Sequence, residues 1–369
     1  MTASRIALYP SPHLLRAEER AVRLANPGFG RVFTEHMVTI RYVEGKGWHD
    51  GKLVPYGPIE LEPAASVLHY GQAIFEGFKA YLQPDGSLAT FRPDANAERF
   101  ATSSDRLAMP IIPTDLFIEA SDVLIAHEAA WVPPNVGESL YLRPLMIATE
   151  AALGVRPAKE YLFLLFGSPA GAYFPQGVRP VSVWISTEYV RAAPGGTGAA
   201  KCAGNYAASL VAQRAANEEG CEQVVWLDAV ERKYVEEMGG MNLFFVYQSG
   251  DKVRLVTPKL TGSLLPGVTR NSLLTLARDL GFEAEEGTMS VEQWRADVQS
   301  GAMTEVFACG TAAVITPVGK VKSSEFEFSV HGGETGPVAA RLRSALLDIQ
   351  HGLAPDAHGW RHVVPALVR

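Results

Sequence analysis

Short apolar runs and helical patterns take turns along the chain. HMVTIRY (36–42) alternates apolar with polar side chains and predicts a strand; SLATFRP (87–93) predicts another. Asp94 is placed to cap a helix through ANAERFATSSDRLA, which Pro110 and Pro113 would stop. A second helix fits Asp115–Trp131, ended by Pro133 and Pro134. Two β-rich runs follow, SLYLRPLMIAT (139–149) and YLFLLFG (161–167). SPAGAYFPQGVRP (168–180) is rich in glycine and proline and predicts an interdomain connection.

Beyond it the pattern resumes with a strand in PVSVWISTEYV and a helix from about Asn205 to Glu219. Strands fit QVVWLD (223–228), NLFFVY (242–247) and VRLVTP (253–258). TRNSLLTLARDLG (269–281) predicts a helix with a glycine stop, and SVEQWRADVQSG one with Ser290 and Gln293 as a capping pair. EVFACG, AAVITPV and a helix near 337–351 complete the series. The expectation is α+β in two domains: a small α/β domain over 1–170, a loop over 171–180, and a larger domain over 181–369.

Composition narrows the partners. Basic side chains number 33 and acidic ones 40, a net charge of −7, which argues against general binding to nucleic acid or anionic membranes. Three cysteines with no C-x-x-C pair suit a reducing compartment. The first twenty residues lack a basic start followed by an apolar core, and no apolar run reaches membrane-spanning length. A soluble cytoplasmic protein is expected.

One stretch stands apart. In PGGTGAAKCAGNYAASL (194–210), Lys201 is the only charge among small residues. As a Walker A loop the stretch is degenerate, with Ala200 for the second glycine and Cys202 for the hydroxyl. A surface lysine in a loop is the plain reading. A Schiff-base lysine is the third, since an amine that must shed its proton is best placed away from carboxylates.

Pyridoxal phosphate would make further demands: a carboxylate at the pyridine nitrogen, a donor to the phenolate oxygen, and a phosphate cup of N–H groups, hydroxyls and an arginine. YVEEMGGMNLFF (234–245) and VTPKLTGSLLPGVTR (256–270) supply Glu237-x-Gly239-x-x-Asn242-Leu243-Phe244, then Leu265-x-Gly267-Val268-x-Arg270. This ordered run resembles the signature of class IV, fold type IV, pyridoxal-phosphate aminotransferases. VLHYGQAIFEGFKAY (67–81), LYLRPLMIATEAALGV (140–155), NPGFGRVFTEHM (26–37) and ACGTAAVITPV (308–318) look like the branched-chain amino acid aminotransferases.

The resemblance implies the roles. Lys201 would hold pyridoxal 5'-phosphate and carry the catalytic proton, with Glu237 at the pyridine nitrogen and Tyr206 at the phenolate oxygen. Arg99, Val268, Thr269 and Thr311 would bind the phosphate, and Leu265 would pack on the ring. Phe29, Phe75, Tyr141 and Tyr173 would wall the substrate side chain, beside Gly240, where some members carry threonine. Arg143 would receive the second carboxylate of glutamate, and the N–H groups of Thr311 and Ala312 the α-carboxylate. Tyr70 and Val155 would complete the neighbour's pocket in a homodimer. The implied reaction moves the amino group of leucine, isoleucine or valine to 2-oxoglutarate. Ala313 and Thr316 stand where some members have a redox C-x-x-C. D-amino acid aminotransferase and aminodeoxychorismate lyase share the lysine and glutamate and are the alternatives within the fold. A nucleotide-binding protein with a degenerate loop is the alternative outside it. His358 and His362 are spaced i, i+4 without a third ligand, so no metal site is expected.

Overall fold

In the computed structural model, residues 4–171 and 178–366 are described. The chain divides into two compact units. The first comprises Met1–Pro175, Ala200–Gly204 and Leu347–Arg369; the second, Gln176–Ala199 and Asn205–Leu346.

The first unit is built on a nine-stranded sheet. Its long central members, Ser139–Ala148 and Glu160–Ala170, pair antiparallel, and His36–Val43 pairs with the far side of the latter. Both faces of this sheet are covered, which is why YLFLLFG is apolar throughout rather than alternating. Phe163 and Leu165 point to the face covered by helices Pro93–Arg106 and Thr114–His127. There Phe100 and Phe117 approach Phe163 with ring centroids 5.8 and 6.0 Å away. Leu162 and Leu164 alternate to the other face, with Met37, Ala73 and Ile147.

The second unit is also organised around a nine-stranded sheet, which closes on itself. The order runs Val235–Met238, Gln223–Leu227, Val181–Ser186, Val314–Lys322, Met303–Gly310 and Met241–Ser249. The last of these pairs back to the first, with Glu237 opposite Asn242. Val225, Leu227, Leu243, Phe245 and Val306 share the enclosed core with Trp294. Val224 and Trp226 alternate to the opposite face and pack with Ala212 and Ala216 of helix Ala203–Glu218.

Several expectations shift at their edges. Pro93 takes the first helical turn behind Arg92, which adopts a left-handed φ of 51°, so Asp94 lies inside the helix instead of capping it. That helix ends at Arg106, before either proline is reached. The next one stops at His127 and tightens into a 3-10 turn, Ala129–Trp131, closed by Trp131 N–H donating to Glu128 O.

A larger change concerns the second unit, expected to run to residue 369 and to carry the lysine. The C-terminal strand Arg361–Val363 pairs with Leu88–Phe91, which draws Leu347–Arg369 into the first unit. Residues Ala200–Gly204 also group with the first unit, through backbone bonds of Lys201 and Cys202 to its sheet.

Candidate active site

In the first unit the lysine is fixed through its backbone. Phe75 N–H donates to Lys201 O at 3.0 Å, and Lys201 N–H donates to Ser103 Oγ at 2.9 Å. Ile74 and Cys202 form an isolated bridge. Phe75 ends the short strand Ala73–Phe75, which pairs with Ser139–Ala148. Lys201 Nζ lies 4.9 Å from the centroid of the Phe75 ring.

A second cation shares that ring. The Arg143 guanidinium is 4.7 Å from Phe75 and 5.4 Å from Tyr141, and its Nη2 donates to Tyr141 OH at 3.2 Å. Its Nε is buried without a hydrogen-bond partner, a costly condition for a charged donor. Phe29 meets Tyr141 edge-on at 5.0 Å. Gly77 must lack a side chain, because a Cβ there would run into the Tyr141 hydroxyl. The structure thus brings Lys201, Phe75, Tyr141, Arg143 and Phe29 together.

Arg99 is buried, and its Nε and Nη2 donate to Glu76 at 2.7 and 2.9 Å. This carboxylate partner is not legible in the sequence. Tyr70 and Val155 are exposed, 40% and 85%, with the Tyr70 hydroxyl donating to Leu153 O. Neither belongs to the cluster around Phe75. Tyr173 lies outside the described residues.

The second unit holds the buried carboxylate. Glu237 is 1% exposed. Its Oε1 accepts the Leu265 N–H at 2.6 Å, and its Oε2 lies 2.8 Å from Arg191 Nε. The N–H and the guanidinium both stabilise negative charge there. Arg191 also donates through Nη1 to Gly198 O and Ser263 O, at 3.2 and 2.9 Å. A Cβ at Gly198 would collide with the Ser263 carbonyl, so this approach of the lysine loop requires glycine. Asn242 Nδ2 donates to Leu265 O at 3.1 Å.

Val268 and Thr269 open the helix Val268–Asp279 behind Gly267, and a helix start leaves N–H groups suited to an anion. Thr311 and Ala312 lie in the turn between Met303–Gly310 and Val314–Lys322. Val314 closes that turn at φ 64°, a conformation costly for a β-branched residue. Tyr206 and Gly240 border a cavity of about 530 Å³, with Arg191, Asn205 and Gln223.

Arg191 is the residue that sequence reasoning missed. The only signal for it was indirect: a glutamate in an apolar strand requires a cation, and nothing in the local pattern says which one. His358 and His362 diverge: His358 stacks on Trp360 at 4.6 Å, and His362 Nε2 meets Asp122 at 2.9 Å.

Residues 73–321 match the family model described as amino-transferase class IV. The chain belongs to the class IV aminotransferases. That membership displaces the nucleotide-loop reading of 194–201, and the fold is the α+β fold type IV arrangement. A protein of Streptomyces coelicolor named a probable branched-chain-amino-acid aminotransferase is 64% identical over 99% of this chain and all of its own length. The Escherichia coli branched-chain amino acid aminotransferase superposes with a TM-score of 0.75 at 28% identity, over 90% of this chain and all of its own. A thermophile branched-chain amino acid aminotransferase solved with pyridoxamine 5'-phosphate gives a TM-score of 0.74 with the same identity and coverage.

Proposed function

We propose that this aminotransferase moves the amino group between L-leucine, L-isoleucine or L-valine and 2-oxoglutarate, using pyridoxal 5'-phosphate. One observation carries the reading. A lysine amine and an arginine guanidinium lie against the same phenylalanine ring, and no carboxylate pairs with that arginine among the described residues. An apolar wall with one cation in it suits two substrates in turn, a branched side chain and a second carboxylate.

The donor set fits the cofactor. Glu237, held ionised by Arg191 and Leu265, would accept the pyridine N–H. The Val268–Thr269 helix start, Thr311 and Arg99 would hold the phosphate, Tyr206 would donate to the phenolic oxygen, and Leu265 would pack on the ring. When bound, the cofactor supplies an electron sink for the charge left by Cα–H loss. Lys201 would bind it and take the substrate's Cα proton. Phe29, Phe75, Tyr141 and Tyr173, with Gly240, would exclude water from the branched side chain. Arg143 would pair with the distal carboxylate of glutamate, and the N–H groups of Thr311 and Ala312 with the α-carboxylate. The exposed Tyr70 and Val155 would complete the neighbour's pocket in a cytoplasmic homodimer. Alternation of two substrates at one site implies ping-pong kinetics.

A panel of L- and D-amino acids with 2-oxoglutarate, followed by glutamate formation, tests the assignment. Activity should be confined to branched L-amino acids; activity on D-alanine without L-leucine moves it to the D-amino acid enzyme. Arg143→Met should raise KM for 2-oxoglutarate about 10- to 100-fold, the worth of a charge-assisted hydrogen bond, while KM for leucine changes little. Equal effects on both substrates would remove Arg143 from its role.

A further inference from the structure

Strand Val235–Met238 carries two successive glutamates, Glu236 and Glu237, both buried. Successive side chains on a strand face opposite sides, so the two carboxylates cannot share a partner. They nevertheless reach the same loop. Glu237 takes the Leu265 N–H at 2.6 Å. Glu236 takes the Ser263 hydroxyl, and Thr261 Oγ1 lies 3.5 Å from the same oxygen and 2.7 Å from Ser263 Oγ. The Ser263 carbonyl in turn accepts from Arg191, whose Nε pairs with Glu237.

The stretch 261–267 is therefore gripped from both sides of one strand. It leads directly into the helix that begins at Val268. An acid is an expensive way to hold a hydroxyl in a buried place. Burial holds the Glu236 carboxyl above its usual range, against the Ser263 hydroxyl and Arg191, which pull it down; Asp228 adds to the upward push. A buried acid retained at that expense, one residue from the pyridine-facing glutamate, has a task other than stability.

We infer that Glu236 is a positioning residue: through Ser263 it sets the 261–267 loop so that Leu265 and the Val268–Thr269 helix start meet the cofactor. This rests on the cofactor reading above. Glu236 touches neither substrate nor cofactor; it acts through the loop, and its loss should weaken cofactor retention more than it weakens the fold.

The test is titration of apoprotein with pyridoxal 5'-phosphate, read by the pyridoxal absorption band, with apoprotein melting measured alongside. Glu236→Ala and Ser263→Ala should each raise the apparent Kd about tenfold, while the apoprotein Tm moves little. The double variant should be little worse than either single one, since both cut the same link. Glu236→Gln, which keeps an acceptor of the same shape, should restore most of the affinity. Single variants within about twofold of wild type, or effects that multiply in the double variant, overturn the inference. If Glu236→Ala does not fold, Ser263→Ala alone decides, because it removes only the hydroxyl. Wild-type protein that takes up no pyridoxal 5'-phosphate overturns the cofactor reading as well, whereas wild-type uptake matched by both variants sinks only the role of Glu236.

Discussion

Buried charges and rings in this chain are legible one residue at a time only when their chemistry is local. Lys201 announces itself because its neighbours are small and uncharged, and Glu237 because it sits in a spaced motif. Arg191 and Glu76 do not, because each matters through a partner far away in sequence. His351 is a further case. The Gly137 N–H donates to its Nε2 at 3.1 Å, and burial, reinforced by Lys79 and opposed by Asp348, pulls the imidazole down to about 4. An unfolded chain takes up that proton near pH 6.5, before the native one does. The stability contributed by neutral His351 is thus complete above about pH 6.5 and is lost as pH falls toward 4. His351→Gln, which keeps an acceptor for Gly137, should flatten the pH dependence of the urea midpoint across that window. Parallel curves for the two proteins would falsify the assignment.

Elements followed their sequence signals where the signal was chemical. Ser290 caps helix Val291–Ser300 as its spacing implied, with Gln293 N–H donating to its hydroxyl at 3.0 Å. Ser290→Ala should cost about 1 kcal/mol in urea unfolding, and Ser290→Asp should recover most of it; no loss in the alanine variant would mean that the tertiary contact of Trp294 alone holds the helix. Signals based on residue type alone were weaker. Asp94 was a credible cap, yet Pro93 already suits a first helical turn and Arg92 accepts the left-handed conformation in front of it. Short strands such as Ala73–Phe75 and Phe78–Leu82 carry no period long enough to read, although they place Phe75 and Lys79 beside the strand bearing Tyr141.

At the scale of the whole chain, organisation departs from a single break near residue 175. The chain leaves the second unit at Ala200, returns at Asn205, and rejoins the first at Leu347. A break rich in glycine and proline is visible in sequence; a strand that returns to an early sheet from the far terminus is not. The three cysteines are likewise buried wherever they fall, at 4% exposure for Cys202, 2% for Cys221 and 1% for Cys309. Burial also pushes the Cys221 and Cys309 thiols up, so thiolate is scarce as well as inaccessible. A thiol reagent at neutral pH should therefore react slowly with native protein and label all three cysteines at once in denaturant. Fast labelling of one cysteine in the native state would show an opening that these packing contacts do not contain.

What the sequence determined by itself is the chemistry carried within one strand, turn or helix start: Lys201 in its loop, Glu237 before the Gly239–Gly240 turn, Leu265 and the helix opening at Val268, and through them the family. Spacing suffices there because neighbouring residues are placed by local backbone geometry. What only the tertiary structure decided is which buried charge answers which: Arg191 for Glu237, Glu76 for Arg99, and Ser263 for Glu236. Those pairings are enforced by desolvation, which acts on whatever groups the packed chain brings within hydrogen-bond distance, however far apart they stand in sequence.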